Sequence, residues 1–552
     1  VVSTNNAADL IVRCLEAEGV EYVFGIPGEE NIHFLQALSH SGIRYVLTRH
    51  EQAASFMAEM YGRVTGQAGV VSATLGPGAI NMQLGVADAA TNSTPVVAIS
   101  AQVGNDRIYK ETHQAVDLVR MFDPITLWSA SIPSPDAIPE MLRKAFKLAQ
   151  TERPGATYLA VPQDVEAAQL THRLDPLPIN VVRAEAPSRT QVQRAAALLS
   201  AAKQPVVLAG HGAARGHAGE ALARFAHRLG IPVATTFHGK GVLSDEDPYA
   251  IGTIGFMRKD YANFGFDAAD LIIAAGYELQ EFDPVKINPH SDKKIIHLNR
   301  SPAEVDVHYS VDVGIEGDIA VALDELGDSV HRDWAGDGSP LPPVRTLLDE
   351  ELDNARDDER YPLSPARVVA DTRAALGPED VVLVDTGAVK MWMARLYPTY
   401  RANTCLVSNG LSAMGFALPG ALGVALAKPE AKVLAVVGDG AFLMHSQEIE
   451  TAVREGIPLT VLIWDDSGYG LIEWKMDLEL GEHYYVGLSN PDTVEYAKSF
   501  GAKGYRVNSA DELLPTLRAA LTDDQVSVIS CPVDYADNLK LTDRLGELDE
   551  HL

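Results

Sequence analysis

The sequence predicts an α/β fold of three doubly wound parallel-sheet domains. Apolar, β-branched runs alternate with helix-like stretches along nearly all of the 552 residues. Many of these runs close on Gly, Ser or Asp, the pattern of parallel strands covered by helices on both faces. Two aperiodic stretches divide the chain. One is 175–188, with Pro176, Pro178 and Pro187, and the other is about 332–365, mixing Gly, Pro and dense charge. The expected domains are 1–180, 188–335 and 360–552.

In the first block, strands are expected at 20–24, 45–47, 70–73 and 96–100. The central block has them at 205–208 and 271–275, and the third at 381–384, 432–437, 459–464 and 526–529. No short-period repeat or low-complexity tract interrupts this order.

Composition excludes several functions. Hydrophobic residues are 46% and charged residues 22%, ordinary for a soluble globular chain. No apolar run reaches the roughly eighteen residues of a membrane span, and residues 1–6 lack a signal-peptide pattern. Lys and Arg number 45 against 75 Asp and Glu, a net charge of −30. Such a surface repels nucleic acid and anionic lipid, so neither is an expected partner. Any phosphorylated ligand then needs a metal, backbone N–H groups or local positive charge. Cys14, Cys405 and Cys531 are far apart. They form neither a disulfide framework nor a zinc motif and suit core positions in a reducing cytoplasm.

The strongest chemical signal lies in the third block. The strand at 432–437 ends in Gly438-Asp439-Gly440. A helix is expected next, with His445, Glu448, Ile449, Ala452 and Val453 on one face and Gly456 just past its end. The strand at 459–464 then ends in Asp465-Asp466-Ser467-Gly468. In a βαβ unit both strand ends reach one sheet edge, so Asp439 and Asp466, 27 residues apart, converge where α/β ligands bind. Glycines beside Asp439 open the backbone to a phosphate. Two acidic oxygens and a carbonyl leave room for phosphate oxygens around Mg²⁺.

Gly438-Asp439-Gly440 followed at this distance by Asp465-Asp466 resembles the thiamine-diphosphate motif, although the family pattern ends in an Asn pair. The string Trp464-Asp465-Asp466-Ser467 and the tail Pro532-Val533-Asp534-Tyr535-Ala536-Asp537-Asn538 are similar to the catabolic acetolactate synthases. The resemblance implies that Asp439, Asp466 and the Gly468 carbonyl hold Mg²⁺. Glu51, in Thr48-Arg49-His50-Glu51, matches the family's catalytic glutamate, which hydrogen-bonds the cofactor's pyrimidine N1′. Gln114, and with it His113, resembles the substrate-facing loop. The resemblance also assigns cofactor contacts to Pro27, Gly28, Thr74, Asn81, Gly387, Ala388, Val389, Ser412, Met414, Gly438, Gly440, Ala441, Tyr469, Gly470 and Leu471. Met414 corresponds to the residue that bends the cofactor.

The family divides by what captures the activated two-carbon unit. Simple decarboxylases resemble one another in a tandem His and in a Glu six residues after the metal Asn. Here that sixth position is Ile472, Glu473 follows it, and His113-Gln114 replaces the tandem His. Leu471 and Ile472 form an expected apolar wall of the substrate pocket, which favours carboligation. The expected reaction is acetolactate synthesis: decarboxylation of pyruvate and addition of the hydroxyethyl group to a second pyruvate. The alternatives are a decarboxylase or carboligase acting on another 2-oxo acid, or a non-catalytic cofactor-binding homologue. Gly210-His211-Gly212 departs from dinucleotide-loop spacing, and 276–284 is similar to the FAD-free enzymes, so no FAD is expected. Glu29-Glu30-Asn31 stands where the catabolic enzymes tend to carry a Lys. The resemblance further implies a homodimer at minimum, and a homotetramer, with sites at the subunit interface.

Overall fold

The computed structural model describes residues 6–255, 265–336 and 344–538. It contains three six-stranded sheets, and every pairing within them is parallel. The first holds β1 (Tyr22–Gly25), β2 (Arg44–Leu47), β3 (Gly69–Ala73), β4 (Val96–Gln102), β5 (Trp128–Ser131) and β6 (Ala156–Pro162), in the order β2-β1-β3-β4-β6-β5. The central sheet holds β7 (Pro205–Ala209), β8 (Val233–Thr235), β9 (Ala250–Thr253), β10 (Leu271–Ala275), β11 (Lys294–Asn299) and β12 (Val313–Glu316). The third holds β13 (Val381–Val384), β14 (Cys405–Val407), β15 (Val433–Gly438), β16 (Thr460–Asp465), β17 (Lys503–Arg506) and β18 (Ser527–Pro532). It runs β14-β13-β15-β16-β18-β17, with the same reversal of direction as the first sheet.

The central strands are apolar throughout because helices cover both of their faces. The first and third sheets share one hydrophobic core, in which the Phe56 and Phe416 rings meet edge-on at 6.3 Å. Helix Glu51–Thr65 lies against helix Ala417–Ala427. A Cβ on Gly423 would stand 2.2 Å from the Met57 carbonyl oxygen, so only glycine allows this approach. The three cysteines are buried core residues. No helix among the described residues is long and apolar enough to cross a membrane.

Two expectations need correction. The stretch 332–365 is not linker throughout, because it carries helix Val344–Ala355. Val344, Leu348, Leu352 and Ala355 bury one stripe of that helix, and dense charge on the other faces hides this period in the sequence. The helix expected after Asp439 is two helices, Asp439–His445 and Glu448–Glu455, with Gly456 left-handed at the end of the second. His445 turns in to the Gly415 carbonyl at 2.7 Å, and Glu448 accepts from the Arg49 amide at 3.1 Å.

Candidate active site

β15 and β16 pair in register from Leu434 with Thr460 to Gly438 with Trp464, so their carboxyl ends lie side by side. Asp439 opens its helix directly from β15, and its carboxylate is buried. Its Oδ1 accepts from the Gly440 amide at 2.8 Å and its Oδ2 from Asn490 Nδ2 at 2.6 Å. The same Asn490 nitrogen reaches Asp465 Oδ1 at 3.1 Å. Asp466 stands against Asp439; burial first, and then the Asp439 charge, push its carboxyl well above the ordinary range. Burial raises Asp439 as well.

Glycines shape the space around this pair. A Cβ on Gly470 would meet Asp466 Oδ2 at 2.4 Å, and one on Gly440 would meet the Tyr469 ring at 2.8 Å. Ser467 takes a left-handed φ of 55°, and its carbonyl accepts from the Leu488 amide at 2.7 Å, which fixes the turn that carries Gly468. A buried carboxylate, Asp439, and a half-buried one, Asp466, raised in part by the charge of the first, are a donor set that suits a hard divalent cation.

The pair opens on a cleft of about 530 Å³, its mouth included. Gly387, Ala388, Val389 and Met414 form one wall, and Gly438, Asp439, Gly440 and Ala441 form the floor. Asp466, Gly468, Tyr469, Gly470, Leu471 and Ile472 close the far side. Gly387, with φ 144°, stands at the N-terminus of helix Ala388–Leu396. Ser412 does not line this cleft. It holds a left-handed φ of 53°, and its Oγ accepts from Lys390 Nζ at 2.9 Å. Lys390 also donates to the Ser408 carbonyl at 3.2 Å, and burial lowers its pKa to about 8.

A second constellation lies on the first sheet. Glu51 is the first residue of its helix and is 8% exposed. Asn81 Nδ2 donates to Glu51 Oε2 at 3.0 Å. Gly78 leaves space at Glu51 Oε1, where a Cβ would come to 3.2 Å. Gly28 packs on Thr74, and Thr74 Oγ1 donates to Glu30 Oε2 at 2.8 Å. Pro27 is exposed one residue before Gly28. Gln114, with φ 56°, lies over Gly76, and both His113 and Gln114 are exposed. None of these first-sheet residues lines the cleft of the third sheet. Within one chain the expected site is two separate halves.

Sequence reasoning missed Asn490, Lys390, Thr386 and Tyr535. Thr386 and Tyr535 line the cleft, and the Tyr535 ring rests on Trp464 at 6.2 Å. Asn490 precedes Pro491, an ordinary turn signal that carries no hint of the acids it joins. In the central domain, Glu281 accepts from the His211 amide at 3.1 Å, at the start of helix His211–Arg215.

Family models match three segments. The thiamine pyrophosphate enzyme N-terminal TPP binding domain covers residues 5–121, the central domain 192–326, and the C-terminal TPP binding domain 385–531. The chain belongs to the thiamine pyrophosphate enzyme family. The cleft around Asp439 falls in the C-terminal match, apart from Tyr535, and the Glu51 group falls in the N-terminal match. This family member is similar along its whole length to acetolactate synthases. It is 35% identical to the acetolactate synthase of Bacillus subtilis (strain 168), over 99% of this chain and 97% of that one. It is likewise 35% identical to the catabolic acetolactate synthase of Raoultella terrigena, over 98% and 97%. It is 34% identical to a probable acetolactate synthase large subunit of Methanocaldococcus jannaschii, over 98% and 94%. It is thus an acetolactate synthase-like, thiamine-diphosphate-dependent enzyme.

Proposed function

We propose that this enzyme makes acetolactate: it decarboxylates pyruvate and adds the hydroxyethyl group to a second pyruvate. The observation that carries the reading is the wall beside the acidic pair. It consists of Leu471 and Ile472, while Glu473 lines a neighbouring cleft with Asp477. An apolar wall keeps water and proton donors from the reacting carbon, which favours capture by a second carbonyl over protonation.

Thiamine diphosphate would supply, when bound, an acidic carbon that becomes the nucleophile toward a 2-oxo acid and a sink for the electron pair left behind when CO₂ departs. Glu51 holds and exchanges a proton at the pyrimidine N1′, with Asn81 orienting its carboxylate. Asp439, Asp466 and the Gly468 carbonyl would hold Mg²⁺, and Gly438, Gly440, Ala441, Tyr469 and Gly470 would cradle the diphosphate. Pro27, Gly28 and Thr74 border the pyrimidine, while Gly387, Ala388 and Val389 border the diphosphate. Met414 would pack against the cofactor and the Ser412 carbonyl would accept a hydrogen bond from it, Leu471 and Ile472 would shape the substrate pocket, and Gln114 and His113 would orient substrate. We further assign units of 1–180, 188–335 and 360–552, a homotetramer whose sites each join the Glu51 half of one subunit to the Asp439 half of another, and a cytoplasmic location.

The proposal includes no FAD. The buried Glu281 carboxylate already accepts from the His211 amide at the N-terminus of helix His211–Arg215, which leaves that amide closed to a phosphate. Glu29-Glu30, beside Gly28, favours a second reading in which another 2-oxo acid is used. Product analysis by NMR separates the two. Acetolactate formed from pyruvate only with thiamine diphosphate and Mg²⁺, and without flavin, is the expected result. Acetaldehyde or no product would move the assignment to another 2-oxo acid.

A further inference from the structure

We infer that the cleft where the three domains meet is a binding site for a small oxyanion, a carboxylate or a phosphate. The cleft measures about 900 Å³, its mouth included, and is separate from the one around Asp439. Its walls come from the end of helix Glu51–Thr65, the loops before β4 and after residue 150, the helix following β7, the end of β11 and the approach to β14. Three arginines, Arg63, Arg215 and Arg300, line it against one carboxylate, Glu152. In a chain of net charge −30, this is a local reversal of sign.

The arginines are under-used. Arg63 is 6% exposed and donates from Nη1 to the Val407 carbonyl at 3.2 Å, yet its Nε and Nη2 have no partner. The carboxyls that act on it, Glu59, Glu281 and Asp88, are all pushed by burial toward their neutral forms. Arg215 donates from Nη2 to Glu152 and Glu278, while its Nε and Nη1 have no partner. Arg300 stands 3.8 Å from Glu152. Unpartnered buried donors are costly, and such groups mark bound water or an ion. The guanidinium fork matches the two oxygens of a carboxylate or phosphate. An anion held by these arginines bridges the first and central domains, so its binding is linked to how the two pack.

The test uses the full-length enzyme saturated with thiamine diphosphate and Mg²⁺, so that the cofactor's diphosphate site is filled. Calorimetric titrations with inorganic phosphate and with malonate, at constant ionic strength, give saturable binding to at least one of them. Phosphate alone identifies a phosphate source, and malonate alone a carboxylate source. Arg63→Gln weakens the binding by about tenfold or more. Arg300→Gln, a change at a partly exposed residue that spares the fold, weakens it measurably. In the Asp466→Ala background, Arg63→Gln still weakens the binding even where Mg²⁺-dependent cofactor binding is lost, so failure of the catalytic assignment leaves this result readable. Absence of saturable heat with both anions, or equal affinity in the wild type and both arginine variants, overturns the site.

Discussion

Asn81 donates from its side-chain amide to the Glu51 carboxylate at 3.0 Å, joining two segments 30 residues apart at the start of the helix that packs on the C-terminal domain. One oxygen of the buried acid is thereby held, while Gly78 leaves the other oxygen an open approach.

Replacing Glu51 by Gln removes the exchangeable carboxyl and preserves the shape of the side chain. Turnover should fall by about a hundredfold or more, while cofactor affinity measured by calorimetry stays near that of the wild type. Asn81→Ala should lower turnover less. Unchanged turnover in Glu51→Gln would remove Glu51 from the catalytic assignment.

Gly470→Ala tests the acidic pair without removing a charge. Its Cβ would stand 2.4 Å from Asp466 Oδ2 and must displace that carboxylate. Mg²⁺-dependent cofactor binding should weaken by roughly tenfold or more, with far-ultraviolet circular dichroism unchanged. Asn490→Ala, which frees Asp439 Oδ2, should act in the same direction.

Lys390 ties helix Ala388–Leu396 to the Ser408 carbonyl and to Ser412. Lys390→Met removes the donor to the carbonyl of buried Ser408, at about 1–3 kcal/mol, and should lower cofactor affinity. Because burial brings the ammonium to about 8, wild-type affinity should decline as pH rises through 8. The charges facing Lys390 are Asp88, Asp385 and Lys286. A Lys390→Met profile still falling at pH 8 would trace the decline to another group.

Glu448 gives a pH-dependent stability. Burial raises its folded pKa to about 7, against an ordinary 4.5. The folded state therefore binds the extra proton between these values. The associated stabilisation is complete below about 4.5 and is lost as pH rises through 7, on the order of 3 kcal/mol. Chemical denaturation of Glu448→Gln should show a flatter dependence on pH over that window than the wild type. Parallel curves would rule Glu448 out as the titrating group.

The sequence by itself determined the elements that rest on local pattern. Continuous apolar runs announced buried parallel strands, and Gly438-Asp439-Gly440 and Asp465-Asp466 at the ends of two such runs announced a paired acidic edge. The register of β15 with β16 bears out that convergence. In the second linker, dense charge conceals the buried stripe of helix Val344–Ala355. Only the tertiary structure decided which distant groups serve the site. Asn490 reaches Asp439 across 51 residues, Lys390 grips Ser412, and three arginines from two domains meet at one cleft. It also separated the Glu51 half from the Asp439 half within one chain. The physical reason is that periodicity records which face of an element is buried, whereas a hydrogen bond depends on how whole sheets dock, and docking leaves no fixed spacing along the chain.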